Sequence, residues 1–200
     1  MAQTDTTTFG AADYERVVGA VISAYDATAE GSARTDFAAC TLRLAGHDLM
    51  DYQAGDATKL GGSDGCIRFS DPVNGGLLSC LQASPLVAVY QSVCTKVSLA
   101  DFIVIAGEAV MGRTSPSYNP AAPYADGTLL NRFKHNFTVG RTTVSECPWA
   151  EGRLPDPEKS CDVLESVLVK RIFNDGADDI EHAWRLTAAI SGAHTLGRAS

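Results

Sequence analysis

Four short stretches hold residues whose types and spacing could do chemistry. The first is "CTLRLAGHDLMDY" at 40–52, where Arg43 and His47 stand four apart and Asp48 follows the histidine. On a helix, residues four apart share one face, so a fixed positive charge and a titratable ring would project together from an apolar stretch. Half-burying such a pair is costly unless something uses it. The second is "GGSDGCIRF" at 61–69, a glycine-flanked acidic loop that leads to Asn74. The third is "EGRLPDP" at 151–157, and the fourth is "ISGAHTLGRA" at 190–199, which holds His194. Taken singly, each has a plain structural explanation: a surface salt-bridge face, a turn, or a satisfied core histidine.

The elements that must position these residues read as helices. "DYERVVGAVISAYDATAE" (13–30) places Val17, Val18, Val21, Ile22 and Tyr25 at helical spacing, with Asp13 as a cap and Gly31 as a stop. A second helix, capped by Thr35 or Asp36, carries Arg43 and His47. Residues 51–76 are rich in Gly and Asp and read as loop. A third helix at 75–93 is kinked or restarted near Pro85. "SLADFIVIAGEAVMG" (98–112) reads as a buried helix capped by Ser98, although its Phe-Ile-Val-Ile centre also suits a strand. From 113 to 160 the Gly, Pro, Asn and Ser content predicts a long irregular connection, the kind of loop that carries function or covers a site. "CDVLESVLVKRIFN" (161–174) is amphipathic, and Asp178 or Asp179 can cap a further segment, "IEHAWRLTAAI". There is no alternating run and no internal repeat. The fold class predicted is mainly α with long loops.

Composition narrows the function. The chain has 200 residues, 45% of them apolar and 20% charged, which is ordinary globular composition. A net charge of −8 with no Lys/Arg-rich run argues against a nucleic-acid partner or an anionic membrane surface. No stretch has the length of a transmembrane helix, and "MAQTDTTTFG" shows no signal peptide. The six cysteines (Cys40, Cys66, Cys80, Cys94, Cys147, Cys161) include no CxxC pair, so thiolate metal spacing is absent. An even set, with an "NFT" sequon at Asn136–Thr138, favours disulfides. Cys147 and Cys161 flank a Pro-rich loop and make a candidate pair; six buried thiols is the alternative.

Together and in this order, the four stretches resemble the plant-type haem peroxidase superfamily, in particular its ascorbate/cytochrome c peroxidase and fungal secreted branches. "LRLAGHD" is similar to the distal-helix motif, an Arg, three residues, then His-Asp. "GGSDGCIRF" resembles the loop that follows it, "VSLADFIVIAGEAV" the next core helix, "GRLPDP" the loop before the proximal side, and "SGAHTLGRA" the proximal-histidine motif. The resemblance runs from about residue 12 to the end. It implies one peroxidase-like domain over 1–200, with the distal half at about 12–112 and the start of the proximal half at 113–200.

The resemblance also implies roles. His194 would ligate the iron of haem b. His47 would take a proton from hydrogen peroxide and return it to the leaving oxygen. Arg43, permanently charged, would stabilise the negative charge that develops as the O–O bond breaks. Asn74 would accept the other imidazole proton of His47 and fix its tautomer. A calcium site is implied beside the distal histidine, from Asp48, Asp64, the backbone oxygen of Gly62 and the position held by Cys66, where the family has serine; a thiol is a poor calcium ligand. Thr195 resembles a ligand of the proximal calcium site.

Two departures stand out. Gly46 occupies the place of a bulky aromatic over the haem, leaving a gap that could admit larger substrates, be filled by another side chain or mark relaxed selection on the site. The sequence also stops six residues after His194, where the family continues and supplies an aspartate to the proximal histidine. The expectation is therefore a fragment of a longer chain or a truncated relative. The leading functional expectation is a haem peroxidase that oxidises a small reductant in one-electron steps. The alternative is a peroxidase-fold module without catalysis, serving as a structural or interaction subunit with a protein partner. A hydrolytic metal site on His47 and His194 lacks the HExxH-like spacing it would need. The cysteines and sequon favour a secretory location over plastid or cytosol.

Overall fold

The computed structural model describes residues 9–55, 61–118, 128–156, 158–174 and 179–196. Among them, the first helix, α1 (Ala11–Ala27), begins at Gly10, whose N–H donates to Asp13 Oδ2 at 3.1 Å. Asp13 thus satisfies an unpaired first-turn amide from inside the helix rather than standing before it. The helix stops at Thr28, short of the predicted end at 30. Arg34 explains the stop: its Nη2 donates to the carbonyls of Asp26 (2.7 Å) and Thr28 (3.0 Å), which a longer helix would have used itself.

Gly31, expected to end α1, instead starts α2 (Ser32–Leu49). Its φ of 85° lies in the left-handed region that glycine enters without penalty. The predicted caps Thr35 and Asp36 therefore fall inside the helix, and Thr35 Oγ1 donates back to Gly31 O at 3.1 Å. The third predicted helix is two: α3 (Leu77–Ala83) and α4 (Leu86–Val93), restarted at Pro85. Proline lacks the N–H that a continuous helix would need there.

α5 (Leu99–Tyr118) is helical through its Phe-Ile-Val-Ile centre, and Ser98 Oγ accepts from Asp101 N at 3.0 Å as predicted. It runs past the expected end at 112, and α6 (Thr128–Asn136) follows, so the stretch 113–160 is less irregular than its composition suggests. α7 (Cys161–Leu164) continues as π-helical turns over Glu165–Ile172, burying Leu168, Val169 and Ile172. Asp179 caps α8 (Ile180–Ser191) by accepting from His182 N at 2.9 Å; the alternative cap Asp178 lies outside the described residues. A 3₁₀ turn, Gly192–Thr195, follows.

The core forms where α1 and α2 pack on α5, through Val17 and Val21, Phe37 and Leu44, and Phe102, Ile105 and Ala109. Gly107 lies where α5 meets α2: a Cβ there would touch Ala45 Cβ at 3.4 Å. Fully buried Asp101 ties the 138–141 segment to the start of α5, accepting from Gly140 N (2.8 Å) and from Arg141 Nη1 (2.9 Å). The architecture is mainly α, and no strand occurs among the described residues. No single described helix is long and apolar enough to cross a membrane.

Two disulfides are present, Cys40–Cys80 and Cys66–Cys147. The expected pair Cys147 and Cys161 is not formed. Cys147 faces Cys66 beside Ala150 and Trp149, and Cys161 stands as an exposed thiol at the start of α7. Proximity in sequence misled here because the acidic loop folds back onto the 144–150 segment, where Val144 N donates to Asp64 O at 3.0 Å.

Candidate functional site

α2 places Arg43 and His47 one turn apart on one face, and the turn at Pro72–Asn74 brings Asn74 against that face. Asn74 is buried, and its Nδ2 donates to Arg68 O at 2.9 Å. That bond leaves Asn74 Oδ1 facing His47 Nδ1 at 2.6 Å. An amide oxygen only accepts, so Nδ1 carries the ring hydrogen and Nε2 keeps a free lone pair. Arg43 reports the same tautomer, because its Nε donates to His47 Nε2 at 3.4 Å. The far end of Arg43 is held by backbone: Nη2 donates to Gly75 O at 2.8 Å and to Val73 O at 3.4 Å. Gly76, with φ of 77°, turns the chain beneath the guanidinium and starts α3.

The electrostatics favour the uncharged form of His47. Burial lowers its pKa below the ordinary histidine value, and the fixed positive charge of Arg43 lowers it further, against the opposing hydrogen bond to Asn74. A neutral imidazole with an unprotonated Nε2 beside a fixed cation can accept a proton from a neighbouring hydroxyl and hold the resulting anion.

The acidic loop lies behind the histidine. Asp48 is fully buried; Gly65 N donates to its Oδ2 at 3.1 Å, and Oδ1 has no partner. Asp51 is buried too, accepting from Gly62 N at 2.5 Å. Burial, reinforced by the charges of Asp64 and Asp51, pushes the Asp48 carboxyl up to about 8. Burial likewise pushes Asp51 up to about 6, although the Gly62 N–H opposes it, and Asp64 is raised as well. Asp48 is thus mostly protonated at neutral pH, which is how a carboxyl group survives in so dry a place.

The residues of the calcium expectation make other contacts in this structure. The Cys66 sulfur is bound to Cys147. The carbonyl of Gly62 accepts from Asp64 N at 2.6 Å, and Asp64 Oδ1 accepts from Cys66 N at 2.9 Å. The Thr195 hydroxyl donates to Gly192 O at 2.8 Å. Among the described residues, no group of three or more His, Cys, Asp or Glu side chains is arranged to hold a metal ion.

His194 is exposed on the 192–195 turn, which removes the core-histidine explanation. Its Nδ1 donates to Ser191 O at 3.2 Å and leaves Nε2 free. That bond fixes the tautomer and leaves Nε2 as the ring nitrogen that could bind a metal. The 192–195 turn touches α2 directly.

Two cavities flank α2. One, of about 550 Å³, lies between α2, α5, α6, α8 and the 192–195 turn, and Leu42, Ala45, Gly46 and Leu49 form its α2 wall. A Cβ built on Gly46 meets nothing within 4 Å, so no neighbouring side chain fills the gap that this glycine leaves. Half-buried Glu108 is a polar group in that lining; Tyr14 OH donates to its Oε2 at 2.7 Å, and burial raises its pKa. The other cavity, of about 830 Å³, has Arg43 and the Cys40–Cys80 disulfide in its wall.

The structure therefore gathers Arg43, His47 and Asn74 closely, and the turn that bears His194 lies against α2. Sequence reasoning missed the carbonyls of Arg68, Val73 and Gly75, because backbone acceptors have no residue-type signal. The adjacent Gly75–Gly76 pair was the only trace of the tight turn that presents them.

Comparison with known proteins gives a consistent set. No family model matches the chain. It is similar to the probable L-ascorbate peroxidase 4, peroxisomal, of Oryza sativa subsp. japonica, with 32% identity over 159 residues, 79% of this chain and 45% of that protein. It is similar to L-ascorbate peroxidase 3 of Arabidopsis thaliana, with 32% identity over 168 residues, 84% of this chain and 49% of that protein. A probable chloroplastic L-ascorbate peroxidase 8 of Oryza sativa subsp. japonica matches at 29% over 199 residues, 91% of this chain and 36% of that protein. The chain spans less than half the length of these relatives. The extracellular location favoured by the sequon and cysteines gains no support from their names.

Proposed function

The chain belongs to the plant-type haem peroxidase superfamily, and from that premise we propose that it is a haem-dependent peroxidase that reduces hydrogen peroxide and oxidises a small reductant. The single observation that carries this reading is the chain of bonds Arg68–Asn74–His47–Arg43, which leaves His47 Nε2 as a neutral acceptor beside a guanidinium.

In this reading His194 Nε2 would hold the iron of haem b, since its Nδ1–H is already committed to Ser191 O. Haem, when bound, supplies a redox-active iron that takes part in one-electron and oxygen chemistry. The chain's own residues do the proton work. Peroxide replaces the long 3.4 Å contact from Arg43 and gives its proton to His47 Nε2. Asn74 Oδ1 keeps Nδ1–H in place, so only Nε2 can accept. Arg43 stabilises the charge that develops on the oxygen, while its bonds to Gly75 O and Val73 O prevent it from swinging away. His47 then returns the proton to the leaving oxygen. The open flank at Gly46 gives this site more room than an aromatic residue would leave. The reductant of this chain is a small molecule; the ascorbate in the relatives' names makes ascorbate the first one to try.

One observation favours a second reading, a peroxidase-fold module without catalysis. The 192–195 turn that bears His194 touches α2 directly, so a planar macrocycle would have to part the two. Haem titration of the purified protein decides between them. A Soret band that forms on haem addition and is lost in His194→Ala supports the peroxidase. No band after haem supplementation sinks it.

A further inference from the structure

The oxygen atoms that hold Arg43, His47 and Asn74 all come from one short, mostly irregular segment. Arg68 O accepts from Asn74, Val73 O and Gly75 O accept from Arg43, and Asn74 Oδ1 accepts from His47. Between residues 66 and 77 the regular structure is a single 3₁₀ turn at Pro72–Asn74. Fixing each residue of such a segment costs backbone entropy. Its further ties to the body include the packing of Ile67 on the main core, a partly exposed ion pair from Arg68 to Glu151 and a 3.3 Å bond from Gly152 N to Asp71.

The segment is stapled at both ends. Cys66 joins Cys147 in a small buried cluster, and Cys80, in the first turns of α3, joins Cys40. Cys40 lies on α2 itself, three residues before Arg43 and seven before His47. The second staple thus links the segment that supplies the acceptors to the helix that carries both donors. The two disulfides differ in surroundings. Cys66, Cys147 and Cys40 are all buried, but Cys80 is only half-buried, and the Cys40–Cys80 bridge lines the 830 Å³ cavity beside Arg43.

We propose that the Cys40–Cys80 disulfide is a positioning element of the site: it holds Asn74 Oδ1 on His47 and Gly75 O on Arg43, and opening it frees both. This rests on the peroxidase reading only for its effect on rate. The opening is a two-electron reduction, in which an external dithiol closes to its own disulfide while Cys40 and Cys80 gain two hydrogens as thiols. The buried Cys66–Cys147 bridge remains as the fixed end.

The test is ring-nitrogen NMR of His47 in wild type, in a Cys40→Ser/Cys80→Ser variant, and in wild type treated with dithiothreitol. Circular dichroism monitors helix content in each. Wild type should show the hydrogen on Nδ1. The variant and the reduced protein should show a mixture with Nε2–H at unchanged helix content. In haem-supplemented protein, peroxide consumption should fall by on the order of tenfold to a hundredfold, the scale expected when reacting groups are misplaced. A His47 tautomer unchanged in both the variant and the reduced protein overturns the proposal. So does loss of helix content in both, which would make the bridge a general staple of the fold. If wild type consumes no peroxide at all, the peroxidase reading fails, while the tautomer still decides the role of the disulfide.

Discussion

Asn74 Oδ1 receives the Nδ1–H of His47 at 2.6 Å, and Asn74 is itself aimed by the bond from its Nδ2 to Arg68 O. One buried amide therefore sets which ring nitrogen is basic. Nothing else near the ring does so as directly, because Arg43 reaches Nε2 only at 3.4 Å.

Replacing Asn74 by Leu strands a half-buried N–H without its acceptor, a loss of about 1–3 kcal/mol. Thermal denaturation should show the drop, and ring-nitrogen NMR should show both tautomers. Asn74→Asp should act in the opposite electrostatic sense. A carboxylate on Nδ1 favours the imidazolium, so the His47 pKa should rise from its lowered position. Peroxide consumption by the haem-loaded variant should then fade at a higher pH than in wild type. An unchanged NMR titration would remove Asn74 from its assigned role.

Arg43 makes three hydrogen bonds from two nitrogens, to a ring and to two carbonyls. A lysine ammonium cannot reproduce that planar fork. Both Arg43→Leu and Arg43→Lys should slow peroxide consumption, on the order of a hundredfold to a thousandfold for the leucine variant, as for loss of one charge-stabilising donor. The lysine variant should recover only part of this. Stopped-flow measurement at fixed haem content separates the effect from weaker haem binding.

Gly46 sits inside a helix, where glycine is less favourable than alanine by roughly 0.5–1 kcal/mol. A Cβ there meets nothing within 4 Å. Gly46→Ala should therefore stabilise the protein by about that amount, read as a higher denaturant midpoint. Gly46→Trp should fill part of the 550 Å³ cavity and discriminate against bulky peroxides while leaving hydrogen peroxide consumption in place. Equal rates with bulky and small peroxides in that variant would show that the open flank is not an access route.

Asp48 gives a pH signature of stability. Its carboxyl is pushed from 3.8 to about 8 by burial, so the folded state holds a proton that the unfolded chain has released. This group's stabilising contribution is fully present below pH 4 and is lost as pH rises toward 8. The melting temperature of wild type should thus fall relative to Asp48→Asn across that interval, since asparagine carries no titrating proton. Parallel curves for the two proteins would refute the raised pKa.

The four motif stretches, the helical class and the capping by Ser98 were legible because they depend on spacing and on local hydrogen bonds, which a linear chain displays. The ends of α1 and α2 were not, because Arg34 captures carbonyls eight and six residues back and Gly31 serves the following helix. The segment 113–160 looked irregular because composition weighs Gly and Pro over packing.

Sequence by itself determined that an arginine and a histidine share a helical face, that an asparagine lies in a nearby turn, and that a second histidine follows an apolar helix. Those are matters of residue type and period. Only the tertiary structure decided which ring nitrogen is free, which carbonyls hold the guanidinium, that Asp48 keeps its proton, and that Cys66 pairs with Cys147 and Cys40 with Cys80. Each of these depends on burial and on partners distant along the chain, and hydrogen bonds, desolvation and sulfur pairing act through space rather than along the sequence.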